Sequence, residues 1–268
     1  MRTIVTANVN GIRAAARKGM VAWLADLDAD VVLLQEVRAT AEQVPAALTD
    51  LPGWHWLLAP AENHGAKGRA GVAVLTRTEP AAQRIGFGSA EFDTCGRYAE
   101  VDLPGLTVGS LYLPSGETGT PRQDEKERFM AVFADYLTDA AKRAADTGRE
   151  FLVGGDFNIA HTEADLKNWR GNKKNAGFLP HERAWLTDLY DQRGFVDVVR
   201  ALHPDQEGPY SWWSYRGRAF DNDAGWRIDL HLATAGLASR ARRAWVDRAP
   251  SHDTRWSDHA PVFAVYDH

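Results

Sequence analysis

Eight residues of this chain place an oxygen, phenol or imidazole group where a strand is expected to end: Asn8, Glu36, Tyr112, Asp156, Asn158, Asp229, Asp258 and His259. Carboxylates and amides are oxygen donors for a hard cation, while imidazole and phenol can donate to an anion. Ligands in layered α/β proteins collect at strand ends, so such side chains would converge on one cleft. The pattern is clearest in residues 151–158, an apolar run closed by Gly154, Gly155, Asp156, Phe157 and Asn158. It reads as a buried strand opening into a loop, with Asp156 and Asn158 on one side if the strand continues. The glycines would let another backbone or a ligand approach closely. Asp and Asn are also ordinary turn formers, and a turn could account for any one of the eight. It accounts for the set badly, because four of them follow strongly apolar runs.

The elements that must position these groups can be read from period and punctuation. Residues 3–9 alternate as a first strand and break at Asn10-Gly11, and Met20, Trp23, Leu24 and Leu27 follow at helical spacing. Residues 31–34 read as a fully buried strand leading to Gln35 and Glu36. A short helix is expected over 41–49, a polar loop over 62–69 and a strand over 71–77. Residues 98–103 and 106–113 form a hairpin about Pro104-Gly105 that closes at Tyr112. After a loop over 115–123, Phe129, Val132, Phe133, Tyr136 and Leu137 mark the apolar face of a long helix stopped by Gly148. A second helix runs from Pro180 to Gly194, beyond a polar stretch over 161–177. Strands are expected at 210–215, 227–233, 242–247 and 262–266. Hairpins are too frequent for a purely parallel sheet, and a mixed-sheet α/β sandwich fits better.

Composition bounds the function classes. A chain of 268 residues with 44% hydrophobic and 25% charged residues is that of a folded globular protein. The N-terminus lacks a signal-peptide core, and no run approaches the roughly 18 apolar residues of a membrane span. The single Cys95 cannot form an internal disulfide, fits a reducing compartment and argues against zinc, so a cytoplasmic location is expected. A net charge of -5 weighs against a general nucleic-acid binder, although the acids of a metal site count toward that total.

Six segments, taken in order, resemble one family. Asn8-Val9-Asn10-Gly11-Ile12-Arg13, Leu34-Gln35-Glu36, Tyr112-Leu113-Pro114, Gly155-Asp156-Phe157-Asn158, Trp226-Arg227-Ile228-Asp229 and Ser257-Asp258-His259 are similar to motifs of the exonuclease III family of abasic-site endonucleases. Each motif is weak and the ordered set, from Thr3 to Pro261, is specific. The resemblance implies a four-layer α/β sandwich of the DNase I-like kind, two mixed β-sheets flanked by helices, with residues 1–268 as one catalytic domain. It also implies hydrolysis of the phosphodiester 5′ to abasic sites in duplex DNA, with trimming of blocked 3′ ends and 3′-to-5′ exonuclease activity. Mg²⁺ would be the cofactor, with Mn²⁺ as the alternative, and a monomer is the default.

A phosphodiester resists attack because it is anionic, so charge must be neutralised, a nucleophile supplied and the leaving oxygen stabilised. Glu36 is expected as the principal metal ligand, Asn8 through its amide oxygen, and Asp258 as a further ligand. Asp156 would orient and deprotonate the attacking water, with Asn158 positioning it, and both would lie within reach of the metal. His259 would donate to the phosphate with its ring fixed by Asp229, and Tyr112 would offer a hydroxyl or phenolate. The stretch 167–175 carries four cations and no acid and would track phosphates, with Asn172 and Asn175 near the target nucleotide and Lys174 on a phosphate. Trp212 and Trp226 match positions where the family lines a pocket for an extruded, baseless sugar, Trp213 is core, and Arg216 would reach a groove. Ser115 stands where many relatives have an amide, and the following loop has no arginine before Arg122. The rival readings are a phosphodiesterase of the same fold acting on an inositol phosphate or phospholipid, and a non-catalytic RNA-binding relative.

Overall fold

The computed structural model describes residues 1–62 and 68–267. One six-stranded sheet contains β1 (Arg2–Asn8), β2 (Val31–Gln35), β3 (His55–Ala59), β4 (Val72–Thr76), β11 (Ala241–Val246) and β12 (Val262–Tyr266), in the order β11-β12-β1-β2-β4-β3. The other contains β5 (Ala82–Ile85), β6 (Tyr98–Leu103), β7 (Leu106–Tyr112), β8 (Glu150–Asp156), β9 (Phe195–Asp197) and β10 (Asp229–Thr234), in the order β5-β6-β7-β8-β10-β9. Each has one parallel pair, β1 with β2 and β7 with β8, among antiparallel neighbours. Three apolar cores separate four layers. Ile4, Leu33, Val74, Val108 and Leu152 pack between the sheets. Phe129, Phe133, Leu137, Val153 and Leu186 join the second sheet to the helices Pro121–Asp146 and Pro180–Asp191. Ile12, Met20, Leu24, Val32 and Leu34 cover the outer face of the first. The expected four-layer sandwich of two mixed β-sheets flanked by helices is what the chain forms.

Several boundaries differ from the expected ones for identifiable reasons. The first helical segment starts at Ile12, directly after the Asn10-Gly11 turn, and passes through a wide turn at Ala16–Met20 where Gly19 has φ 114°. Residues 210–215 are not a strand, because Trp212 makes only single bridges, to Trp226 and to His259, and crosses between the sheet ends. β10 begins at Asp229 rather than 227, since buried Arg227 is drawn onto Asp165 at 2.6 Å and Asp197 at 2.7 Å. β3 and β5 went unread, being short strands with mixed exposure. The 98–112 hairpin alternates in sequence yet is buried on both faces, because its sheet is covered on both. Part of the expected 62–69 loop, residues 63–67, lies outside the described residues.

Two features hold the cleft end of the sandwich. Gly155 faces Leu111 across the β7–β8 register, and a Cβ there would sit 2.0 Å from the Leu111 carbonyl oxygen; one at Gly154 would sit 2.6 Å from Leu33 Cδ1 in the facing sheet. Gly155 is therefore required by the approach of the β7 backbone, while Gly154 leaves room for the Leu33 side chain of the facing sheet. The second feature is an ion pair, Lys126 to Glu182 at 2.7 Å, with both side chains fully buried. Lys126 Nζ also donates to the carbonyls of Asn158 at 2.9 Å and Ser115 at 3.3 Å. Glu182 accepts from the backbone N–H of Gly177 and Leu179 and from Gln123 Nε2. One pair thus ties together three loops and two helices.

Two stability measurements follow. Gly155→Ala forces a contact that only backbone movement can relieve, and urea unfolding should show a loss of about 3 kcal/mol or more; an unchanged midpoint would refute the close approach. Lys126→Met strands a buried carboxylate and should cost about 3–5 kcal/mol, while Lys126→Met with Glu182→Leu should recover part of that loss.

Candidate active site

Strand direction decides which side chains meet. The parallel pairs β1–β2 and β7–β8 deliver Asn8, Gln35, Tyr112 and Asp156 at their C-terminal ends, with Asn8 opposite Gln35 and Tyr112 opposite Asp156. β10 and β12 run antiparallel to β8 and β1, so their N-terminal ends lie at the same edge. Asp229 is therefore directly opposite Asp156, and Ser257, Asp258 and His259 enter from beside β1. All eight strand-end residues singled out in the sequence gather at this end.

At the centre, Glu36, Asp156 and His259 offer ligand atoms within 4.8 Å of one another, all three buried. Asn8 Nδ2 bridges the two carboxylates, at 2.8 Å from Glu36 and 2.9 Å from Asp156. The amide oxygen of Asn8, expected to face a metal, instead accepts from Asn10 N–H at 3.0 Å, so its amide nitrogen points into the site. Asp258, expected as a further ligand, also stands apart, accepting from Asn10 Nδ2 at 2.7 Å and Trp212 Nε1 at 3.1 Å. Asp156 takes the Asn158 backbone N–H at 2.9 Å. One N–H of the Asn158 amide goes to the Leu113 carbonyl at 2.8 Å, which leaves the second for a ligand. Glu36 and Asn158 hold left-handed backbone, φ 49° and 51°, a cost of about 1–3 kcal/mol each that a fold retains where geometry is constrained.

His259 Nδ1 meets Asp229 Oδ2 at 2.9 Å, and its Nε2 lies 3.8 Å from Asp156. Burial works against a charge on this ring, but Asp229, Asp156 and Asp258 outweigh it and push the imidazole up to about 10. Burial, followed by Asp229 and Glu36, raises the Asp156 carboxyl to about 8 against the pull of His259. Burial and Glu36 also push the Tyr112 phenol well above its ordinary range. Two buried carboxylates beside one cation, with Asp229 Oδ1 unpartnered, make a donor set of hard oxygens that fits a divalent metal ion.

Sequence reasoning missed the groups that hold this set. Ser211 Oγ donates to Asp229 at 2.6 Å, and Ser257 Oγ donates to the Asn8 carbonyl at 2.7 Å while accepting from His259 N–H. Arg38 pairs with Glu36. Ser211 carries no spacing signal, whereas Ser257 and Arg38 each stand two residues from a candidate, His259 and Glu36, and were given no role of their own.

The cleft over these groups measures about 490 Å³. Trp212 and Trp226 form one wall edge to face, centroids 6.2 Å apart, backed by Phe178, Leu166 and Ile228. Trp213 is buried against Phe220, as expected. The loop 167–177 reaches the cleft through Ala176 and Gly177, while Asn172 and Asn175 are hydrogen-bonded to each other at 2.7 Å on its exposed rim. Lys174 is exposed there, and its carbonyl accepts from Thr118. Lys167 is paired with Glu207, and Arg216 is exposed on a loop outside the cleft lining.

Known proteins share the sequence pattern and the fold of this chain. Residues 5–259 match the Endonuclease/Exonuclease/phosphatase family. The chain is 34% identical to the "Exodeoxyribonuclease" of Bacillus subtilis, covering 97% of each, and 34% identical to the "DNA repair nuclease APEX1" of Danio rerio, covering 97% of this chain and 80% of that one. An AP endonuclease from Archaeoglobus fulgidus superposes with a TM-score of 0.87 at 29% identity over all of both chains, and a 3′-5′ exonuclease from Neisseria meningitidis at 0.86 and 29% over 99% of this chain and all of that one. The strand-end acids, the buried imidazole and a match spanning nearly the whole chain place it in the endonuclease/exonuclease/phosphatase family, among the exodeoxyribonuclease III and AP endonuclease relatives.

Proposed function

We propose that this chain is a Mg²⁺-dependent DNA repair nuclease that hydrolyses the phosphodiester 5′ to an abasic site in duplex DNA and leaves a 3′-hydroxyl. Trimming of blocked 3′ ends and 3′-to-5′ exonuclease action use the same site. The observation that carries this reading is the joining, in one cleft, of the Glu36–Asp156–His259 cluster to a wall of paired tryptophans. Flipping a nucleotide costs a few kcal/mol, least where no base is stacked, and an apolar wall such as Trp212 and Trp226 leaves little room for a base.

Glu36 and Asp156 hold the divalent ion, which when bound supplies positive charge to the phosphoryl oxygens. Asp156, fixed by Asn8 and the Asn158 backbone, orients the attacking water and takes its proton. His259 turns its Nε2 toward the cleft and donates to a phosphoryl oxygen, its ring oriented by Asp229 through Nδ1. Asn158 and Tyr112 donate to the same phosphate. Lys174, Asn172 and Asn175 meet the strand from the rim, and Arg216 the groove beyond. Residues 1–268 act as one catalytic domain, monomeric and cytoplasmic, in keeping with a site assembled from both sheets and a free, buried Cys95.

Glu36→Ala should lower kcat by about a thousandfold while leaving the DNA dissociation constant within roughly threefold; equal losses in both would reject Glu36 as a metal ligand. The decisive assay is cleavage of an end-labelled duplex bearing one abasic-site analogue, with Mg²⁺ or EDTA, beside an intact duplex with a recessed 3′ end. A single Mg²⁺-dependent nick immediately 5′ to the analogue is expected, with a ladder from the control. No cutting of either duplex would reject the nuclease reading in favour of phosphoinositides or RNA.

A further inference from the structure

Next to the catalytic cleft lies a smaller alcove of about 80 Å³, which shares the Tyr112, Ser115 and Gly116 wall and the Arg69 and Arg122 side chains with the cleft but touches neither tryptophan nor His259. Three guanidinium groups line it, Arg69, Arg97 and Arg122, against a single carboxylate, Glu125. Arg122 sits seven positions beyond Ser115, yet the turn into the helix Pro121–Asp146 brings it back to the cleft.

The cations of this alcove are poorly neutralised. Arg97 lies over the Tyr112 ring at 4.8 Å and reaches Glu125 only at 3.7 Å, while its Nε is buried without a partner. Arg122 approaches Glu117 at 3.5 Å, both side chains being half exposed, and Arg69 makes no ion pair among the described residues. Converging guanidinium groups with unspent N–H donors suit an oxyanion, because the planar fork matches phosphate oxygens. In a chain of net charge -5, this local excess lies beside the reaction centre.

We propose that the alcove is a second phosphate subsite, in which Arg97 and Arg122, with Arg69 at the rim, hold a phosphate of the bound strand next to the one attacked. The inference rests on the DNA nuclease reading. The shared wall makes the subsite continuous with the cleft, so a strand whose scissile phosphate faces His259 passes its neighbouring phosphate along Tyr112. Arg69 and Arg122 thereby set substrate affinity, whereas Arg97 also steadies the Tyr112 ring.

The test uses duplex substrates in which each of the two linkages flanking the cut is singly replaced by a neutral methylphosphonate. Wild-type KM should rise at least fivefold for one of the two. Arg122→Gln and Arg69→Gln should raise KM on the all-phosphate duplex by a similar factor, become insensitive to that replacement, and lower the salt dependence of binding by about one unit for the double variant. Arg242→Gln, on the edge strand β11, alters net charge equally and should leave KM and the salt slope unchanged. Variants as sensitive to the methylphosphonate as wild type, or an equal effect from Arg242→Gln, would overturn the subsite. A strand ending in a phosphomonoester at that position separates a diester from a strand end as the source of the phosphate, and no gain from either would also overturn it. Failure of wild type to cut any duplex would instead overturn the nuclease reading.

Discussion

The molecule is built around a charge problem at one end of its sandwich. Glu36, Asp156 and Asp229 are buried at adjoining strand ends, where like charges so close cannot all ionise without compensation. His259 between Asp156 and Asp229, and the Asn8 amide between Glu36 and Asp156, supply that compensation within the chain. A divalent cation would supply the rest. The same constraint explains why left-handed backbone at Glu36 and Asn158 is tolerated, since the cost is recovered only if both side chains reach this point.

Keeping acids in place requires a rigid floor. The Lys126–Glu182 pair gives that floor a single buried anchor, binding the Ser115, Asn158 and Gly177 loops that shape the cleft. A second buried network, Arg227 and Arg200 on Asp165 with Asp197, anchors the segment that presents Trp226. The burial of Asp165 opposes its ionisation, yet the two arginines hold its carboxyl well below the usual range. Charged side chains therefore act here as framework as well as chemistry, which is why net charge was a poor guide to the partner.

Much of the fold was legible because period and punctuation are local. The long helix, its Gly148 stop, the Pro104-Gly105 hairpin and the apolar strands at 31–35 and 150–156 are set by neighbours in sequence. The failures occur where a distant contact overrides local preference. Tyr210 to Tyr215 has the composition of a strand, but Trp212 is claimed by Trp226 on one side and His259 on the other. Arg227 looked like a strand residue until Asp165 and Asp197, far away in sequence, drew it inward.

The sequence by itself determined which chemistry was available: acids, amides, one histidine and one tyrosine at strand ends, and glycines at 154 and 155 that permit a close sheet approach. Residue type and spacing are properties of the chain, so they survive any folding. Tertiary structure decided how those groups are used. Register placed Asp229 opposite Asp156, turned the Asn8 nitrogen rather than its oxygen toward the acids, and gave Asp258 to Asn10 and Trp212. It also brought Arg122 back beside Arg97. These outcomes depend on which strands become neighbours and how their ends align, and such pairings join residues up to 248 positions apart that no local pattern connects.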